Sequence, residues 1–167
     1  MLTEPKLEDR KEQHYLAIRT AVPLPFGKYL QPLWKEVEAE LKSQRIPLSS
    51  SGPAIIRYLT TDMSKKLDID VGFVVDRPAR GNERIIADIL PAGRYATILY
   101  TGSYRGKGIF KATVALLDWA KKNGITWNTT AKNGVEFWNG RTEWYLTDPA
   151  RETDMTKYQT ELAFLIK

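Results

Sequence analysis

The chain has 167 residues, 43% of them hydrophobic, which is enough to bury the core of one domain or of two small modules. It contains no Cys and a single His, so disulfides, thiolate catalysis, cysteine-ligated metals and most histidine-dependent triads are excluded. The net charge is +5, but the basic residues are dispersed rather than gathered in a stripe, and a nucleic-acid partner is therefore not expected.

The sequence also argues against a membrane protein. No stretch approaches the roughly 20 consecutive apolar residues that a spanning helix needs. The N-terminus places Glu4 and Glu8 among its basic residues and lacks the apolar core of a signal peptide. We therefore expect a cytoplasmic protein that does not contact a membrane. Residues 1–12 are charged and interrupted by Pro5, and they are predicted to form a loose N-terminal arm.

The residues after this arm follow the order strand, helix, strand, strand. The helix ends near Gln44 and is predicted from apolar residues at helical spacing, namely Leu30, Leu33, Trp34, Val37 and Leu41. Alternating apolar residues predict the three strands, at 14–20, 54–60 and 67–75. Polar turns at 46–53 and 62–66 connect these elements.

The same order returns in the second half of the chain. It follows a linker at 76–83 and a short strand at 85–90. The elements predicted there are a strand at 93–102, a helix at 109–120, a strand around Glu143 and a last strand at 159–166. We therefore expect a single domain made of two repeats, about 13–76 and 85–167.

A repeated β-α-β-β module predicts an α+β fold, because each three-stranded sheet is too small to bury both of its faces alone. Two modules together form one curved antiparallel sheet, or saddle, with both helices on one face and a central ligand pocket on the other, concave face. That concave face is expected to receive residues from both modules, namely Ile56, Tyr58, Asp68, Asp70, Gly72, Glu143, Tyr145 and Ala163. The small side chains of Gly72 and Ala163 would leave a hollow at its middle.

A single carboxylate, Glu143, stands among aromatic residues in the stretch 141–149. Strand alternation puts Glu143 and Tyr145 on one face and Trp144 on the other. The Trp144 face is typical of a core, and the Glu143 face is typical of an aromatic surface that carries an acid. Glu143 could be an ordinary exposed strand glutamate, but its aromatic neighbours favour a partly enclosed acid.

Two further motifs invite functional readings that the residues do not support. The glycine-rich stretch 102–108 lacks the glycine order of a phosphate-binding loop, so it is interpreted as a flexible turn that leaves Tyr104 free to overhang a pocket. Asp68 and Asp70 lack further metal ligands and are interpreted as a solvated strand face. No metal and no cofactor are predicted.

Phe137 and Trp138 lie in the irregular stretch before Glu143. They either plug a loop or form one wall of a pocket, and the sequence leaves both interpretations open. Trp34 and Trp144 fall on predicted core faces and are interpreted as structural.

The tandem module, the strand 53–58 and above all the stretch 142–149 resemble the GyrI-like small-molecule-binding family. This effector-binding fold is also found as the ligand domain of MerR- and AraC-type regulators. The resemblance runs from about His14 to Ile166. It implies a saddle whose central pocket is lined by aromatic residues, with a glutamate at its floor that is Glu143 here, and a ligand that is hydrophobic and often cationic.

Strand parity and this resemblance together predict a ligand site, made of Ile56, Tyr58, Tyr104, Phe137, Trp138, Glu143, Tyr145 and Ala163. The expected partner is a hydrophobic or cationic aromatic small molecule, taken up for sequestration, for protection against a drug or toxin, or for effector sensing. Both modules use up the chain and leave no room for a helix-turn-helix, so a stand-alone member of the family is expected.

Two alternatives stay open. The resemblance allows a hydrolase that opens the cyclopropane ring of DNA-alkylating compounds, in which Glu143 would activate water and Tyr145 would help to hold the substrate. It also allows a module that binds a protein partner, for example one that protects DNA gyrase.

Overall fold

The computed structural model describes residues 1–47, 51–62, 64 and 66–167, and for 51–52 it describes the backbone alone. The predicted turns at 46–53 and 62–66 therefore lie partly outside the described residues. Within the described part of the chain, no helix is long and apolar enough to cross a membrane.

Two α-helices, one short 3-10 helix and ten strands form among the described residues. The helices are α1 (Gly27–Ser43), α2 (Gly108–Lys122) and the 3-10 helix Met155–Lys157. The strands are β1 (Lys6–Arg10), β2 (Gln13–Val22), β3 (Ser51–Tyr58), β4 (Leu67–Val75), β5 (Ile86–Leu90), β6 (Gly93–Thr101), β7 (Thr129–Lys132), β8 (Val135–Trp138), β9 (Arg141–Tyr145) and β10 (Gln159–Leu165).

Eight of the strands form one strongly curled antiparallel sheet, in the order β1-β6-β10-β9-β3-β4-β2-β5. Strands β6, β10 and β9 come from the second half of the chain and β3, β4 and β2 from the first, so the halves meet where β3 pairs with β9. The predicted fold class, an α+β fold with a curved antiparallel sheet, is confirmed.

The two edge strands connect the halves a second time. β1 precedes the first half but pairs with β6 of the second half, from Lys6 opposite Thr97 to Arg10 opposite Gly93. β5 precedes the second half but pairs with β2 of the first. The prediction of a loose arm over 1–12 is therefore wrong, because 6–10 form a strand whose partner lies far away in the sequence.

The connection between α2 and β9 contains a hairpin that the sequence interpretation did not include. β7 and β8 pair with each other, joined by Asn133 and Gly134, which both adopt positive φ angles of 52° and 74°. Such a pair is the usual two-residue turn of a hairpin. The hairpin is attached to the main sheet, since the backbone N–H of Trp138 donates to the Leu59 carbonyl oxygen at 2.9 Å.

Both helices pack on the same face of the sheet. Val37 and Leu41 of α1 contact the aliphatic residues of β2, including Ile18. Ala112 and Leu116 of α2 pack in a separate cluster on β6 and β10. The residues between these two clusters are covered by the first turns of α1 rather than by its middle, and they form the region where Glu143 lies.

Close packing of β2 against β4 yields a test of the fold. Gly72 faces Ala17, and a Cβ atom added at Gly72 would lie 1.8 Å from the Leu16 carbonyl oxygen. Gly72→Ala should therefore lower the free energy of unfolding by about 2 kcal/mol or more, because a strand backbone has to move. Gly27→Ala is the matched control, since its added Cβ meets nothing within 4 Å. Equal stability of the two variants in chemical denaturation would contradict this packing.

Candidate functional site

Glu143 occupies the centre of a row of side chains that crosses six strands. Cross-strand pairing places it between Leu162 of β10 and Ile56 of β3. The same row continues outward through other aliphatic residues, namely Ile98, Val71 and Ile18. A carboxylate in such a row costs free energy unless it is compensated, because it loses its hydration. Glu143 is 7% exposed.

Two tyrosine hydroxyls compensate the Glu143 carboxylate. The Tyr58 hydroxyl donates to Oε1 at 2.9 Å, and the Tyr145 hydroxyl donates to Oε2 at 2.7 Å. Tyr58 reaches Glu143 from β3, whereas Tyr145 lies two residues further along the same strand. The acid is thus held by hydrogen bonds from both halves of the sheet.

Further aromatic rings pack against the two tyrosines that bind this carboxylate. Trp34 of α1 and Tyr104 of the loop before α2 each meet Tyr145 edge to face, with ring centroids 5.2 Å apart in both pairs. Phe26 meets Tyr58 in the same manner at 6.2 Å. The sequence predicts that Tyr104 is free to overhang a pocket. In the structure it is held in place, because its hydroxyl donates to the Thr147 carbonyl oxygen at 2.8 Å.

Burial raises the pKa of Glu143 above its ordinary value. The hydrogen bonds from Tyr145 and Tyr58, together with the charge of Arg141, favour the anion and act in the opposite direction without cancelling the effect of burial. Burial and the nearby Glu143 charge raise the pKa of both tyrosines well above the ordinary value. The tyrosines therefore stay protonated and act as donors.

Arg141 is a site residue that the sequence interpretation did not include. It lies two residues before Glu143 on β9, on the same face of the sheet. The centre of its guanidinium group is 4.6 Å from the ring centroids of both Trp138 and Phe164. It is 5.6 Å from the Tyr58 ring. Parity along the strand could have placed Arg141 beside Glu143, but its aromatic partners come from distant parts of the chain.

The face that Glu143 occupies differs from the expected one. The sequence predicts Glu143 opposite the helices, but Ile56 and Tyr145 pack with Trp34 and Leu30 of α1, so Glu143 lies on the helix side. The alternation within β9 is as predicted. Which face of the sheet is covered by helices depends on the pairing between strands, which alternation within one strand does not show.

Three residues expected beside Glu143 lie on the other face of the sheet. Ala163 is opposite Thr142, and Gly72 is opposite Ala17 and Ile55. Asp70 is there as well and is fully buried rather than solvated, because Tyr15 and Arg19 bind its carboxylate. The hollow predicted from Gly72 and Ala163 therefore does not adjoin Glu143.

The remaining predicted site residues do not all lie in one place. Trp138 is 8% exposed and stacks on Arg141, and its indole N–H donates to the Thr61 hydroxyl at 3.2 Å. Phe137 precedes it on β8 and therefore points to the opposite side of the hairpin. Tyr58 and Tyr145 bind the Glu143 carboxylate, Ile56 pairs with Glu143, and Tyr104 contacts Tyr145.

The chain has the curved antiparallel sheet, with two helices on one face, of an α+β saddle fold. The chain belongs to the family of the GyrI-like small molecule binding domain, whose model matches residues 3–167. A comparison with curated proteins found no match.

Several solved structures share the fold. The chain resembles EcmrR in its DNA complex, with a TM-score of 0.78, 18% identity, and coverage of 98% of this chain and 57% of EcmrR. It thus spans little more than half of that protein. The EcmrR C-terminal domain alone matches with a TM-score of 0.73, 18% identity, and coverage of 98% of this chain and 97% of that domain. SAV2435 bound to tetraphenylphosphonium matches with a TM-score of 0.59, 13% identity, and coverage of 99% of this chain and 94% of SAV2435.

The buried acid predicts an unusual pH dependence of stability. A carboxyl group whose pKa is higher in the folded than in the unfolded chain binds more protons when folded, so it lowers the free energy of unfolding as pH rises above about 4. Glu143→Gln lacks this titration. The stability of Glu143→Gln relative to wild type should therefore increase between about pH 4 and about pH 7 in chemical denaturation. Glu136→Gln, at an exposed position of β8, is the control, and a pH-independent difference for Glu143→Gln would contradict the raised pKa.

Proposed function

We propose that the protein binds a hydrophobic aromatic cation beside Glu143. The observation that carries this proposal is the position of the carboxylate, which is 7% exposed and accepts two tyrosine hydroxyls, whose rings contact further aromatic rings. A cation would supply the charge partner that burial denies to Glu143. Aromatic rings around the acid attract cations through their faces as well.

A ligand has to displace part of the cover of Glu143. Tyr104 and Trp34 both touch Tyr145 by ring edges, and Tyr104 belongs to the loop between β6 and α2. Ring contacts of this kind are each worth only about 1 kcal/mol. The uptake of an aromatic cation can replace them with stacking against the same rings.

A relative with the same fold supports the choice of ligand. SAV2435 is bound to tetraphenylphosphonium, which is a lipophilic aromatic cation. We extend this chemistry to the present chain because its own site combines a buried acid with aromatic walls. The sequestration or sensing of such compounds would be the resulting function.

The hydrolase alternative rests on the raised pKa of Glu143, which would suit a general base. The hydrogen bonds favour the binding role, since each carboxylate oxygen already accepts a tyrosine hydroxyl. A hydrolase would release product over many turnovers from a strained, electrophilic aromatic substrate, and this activity would vanish in Glu143→Gln. Uptake limited to one equivalent would support binding alone.

The binding proposal predicts a charge-selective effect of Glu143→Gln. Tetraphenylphosphonium should lose affinity by about tenfold or more, because the substitution removes a charge partner at a desolvated site. Triphenylphosphine oxide, a neutral aromatic analogue, should change by less than about threefold. Isothermal titration calorimetry of wild type, Glu143→Gln and the control Glu83→Gln, at an exposed position away from this site, measures these effects.

Two outcomes would contradict the binding proposal. Equal losses for the cation and the neutral analogue would show that Glu143 acts through shape rather than charge. Absence of binding of either compound to the wild type would remove the proposal as a whole.

The affinity for cations should also depend on pH. The pKa of Glu143 is raised, so on acidification the carboxylate should take up a proton at a pH above about 4.3, the ordinary pKa of a glutamate. Tetraphenylphosphonium binding should weaken as this proton is taken up. Tyr145→Phe removes a hydrogen bond that favours the anion, so the loss should begin at a still higher pH. The affinity of Glu143→Gln should vary little over the same range. A wild-type curve as flat as that of Glu143→Gln would contradict this prediction.

A further inference from the structure

Arg141 is held by aromatic rings rather than by acids. Its guanidinium group lies against both Trp138 and Phe164, at 4.6 Å from each ring centroid, and these two rings also contact each other edge to face. Its Nε atom is buried and has no hydrogen-bond partner. In the part of the chain that the structure describes, no carboxylate lies within ion-pair distance of Arg141, and no hydrogen bond from its guanidinium group is observed.

Several other arginines of the protein have anionic partners. Arg19 binds Asp70 through two nitrogen atoms at 2.8 and 2.9 Å, and Arg84 binds Glu36 at 2.8 Å. A guanidinium group carries five N–H donors in a planar fork that matches a carboxylate or a phosphate. Leaving the buried Nε donor of Arg141 without a partner costs free energy. The ring faces compensate the charge of Arg141 but not its donors.

Arg141 and Glu143 form the two ends of one polar strip along β9. They are two residues apart on the same strand face, so their attachment points are separated by about 7 Å. Tyr58 connects the two ends, because its hydroxyl binds Glu143 while its ring lies 5.6 Å from the Arg141 guanidinium centre. A ligand that lies along this strip meets an acid at one end and unused donors at the other.

We infer that Arg141 is a second binding element of this site, which receives an anionic oxygen group of the ligand, and that the ligand is therefore a zwitterion. Its aromatic cation lies at Glu143, and its carboxylate lies at Arg141. This inference rests on the proposed function, since it extends the same site. A ligand with only a positive charge would instead be repelled by the positive charge of Arg141, which forms no ion pair with a described residue.

A matched pair of dyes tests this assignment. Rhodamine B carries an aromatic cation and a carboxylate, whereas rhodamine B ethyl ester keeps the cation and lacks the carboxylate. Wild-type protein should bind the acid more tightly than the ester in fluorescence polarisation titrations. Arg141→Met should reduce the ratio of the two affinities by about tenfold or more, because the acid loses its partner while the ester loses a repulsive charge.

Further variants separate the two charges. Arg141→Lys keeps the positive charge but lacks the planar fork, so its preference for the acid should fall between that of wild type and that of Arg141→Met. Glu143→Gln should weaken both dyes by similar factors, because both carry the same cation, and should leave their ratio unchanged. Arg94→Met, at an exposed arginine of β6, is the control and should alter neither affinity. Thermal unfolding of each variant shows that it is folded.

The outcomes distinguish the two proposals. Wild-type protein that binds the ester as tightly as the acid overturns the role of Arg141 while leaving the cation site intact, and this result does not depend on the folding of any variant. An unchanged ratio in folded Arg141→Met overturns it as well. If neither dye binds the wild type, both proposals fail.

Discussion

The pairing of β3 with β9 connects the two halves of the sheet and also determines the neighbours of Glu143. It places Ile56 opposite Glu143 and Tyr58 opposite Arg141. A shift of this register by one residue would turn the whole Glu143 face to the other side of the sheet. The exchange of β1 and β5 between the halves adds pairing at both edges and so opposes such a shift. The site thus depends on long-range strand pairing rather than on a loop.

Buried charges have different surroundings on the two faces of the sheet. On the face away from the helices, Asp70 accepts hydrogen bonds from Tyr15 at 2.6 Å and from Arg19 at 2.8 Å, so this acid is neutralised by a permanent partner. Arg57 on the same face donates to the Tyr15 hydroxyl and to the Asn139 carbonyl oxygen. This network serves stability because each charge has an opposite charge within the fold, although the Nε atom of Arg57 is buried without a hydrogen-bond partner.

On the helix face, neither Glu143 nor Arg141 forms an ion pair with a described residue, although the charge of Arg141 favours the Glu143 anion. Glu143 is bound by neutral tyrosines, and Arg141 lies against aromatic rings. Both arrangements reduce the cost of burial without removing the charge. A ligand can therefore improve the electrostatic balance of the site, which is the physical reason for a binding function. The same imbalance makes Glu143 unfavourable for folding at neutral pH, as is common for functional residues.

Much of the fold could be predicted from local patterns. The helical spacing of Val37 and Leu41 and the alternation in β4 identified α1 and β4, and the repeat of these elements identified the duplicated architecture. The hairpin β7–β8 also has a local signal, the pair Asn133 and Gly134 at its turn, although the sequence analysis did not predict it. β1 could not be recognised from its own residues, because a short, charged edge strand is stabilised by a partner more than 80 residues away.

The candidate site was predictable in part. Alternation within β9 separates Glu143 from Trp144, and the aromatic neighbours of Glu143 indicate an enclosed acid. Its side of the sheet follows from pairing between strands, and so does the position of Ala163 away from it. The cage around Arg141 combines β8, β9 and β10, and no local pattern reports such a contact.

The position of a bound aromatic cation is the most direct test of this account. The alternative position for such a ligand is an open cavity of about 390 Å³ on the other face of the sheet. Glu8, Arg10, Trp144 and Glu161 are among the residues that line it. A crystal structure of the complex with tetraphenylphosphonium should show the phosphonium ion beside the Glu143 carboxylate, with Tyr104 or Trp34 displaced from Tyr145. A phosphonium ion bound in the Trp144 cavity, with the Glu143 cluster unchanged, would contradict it.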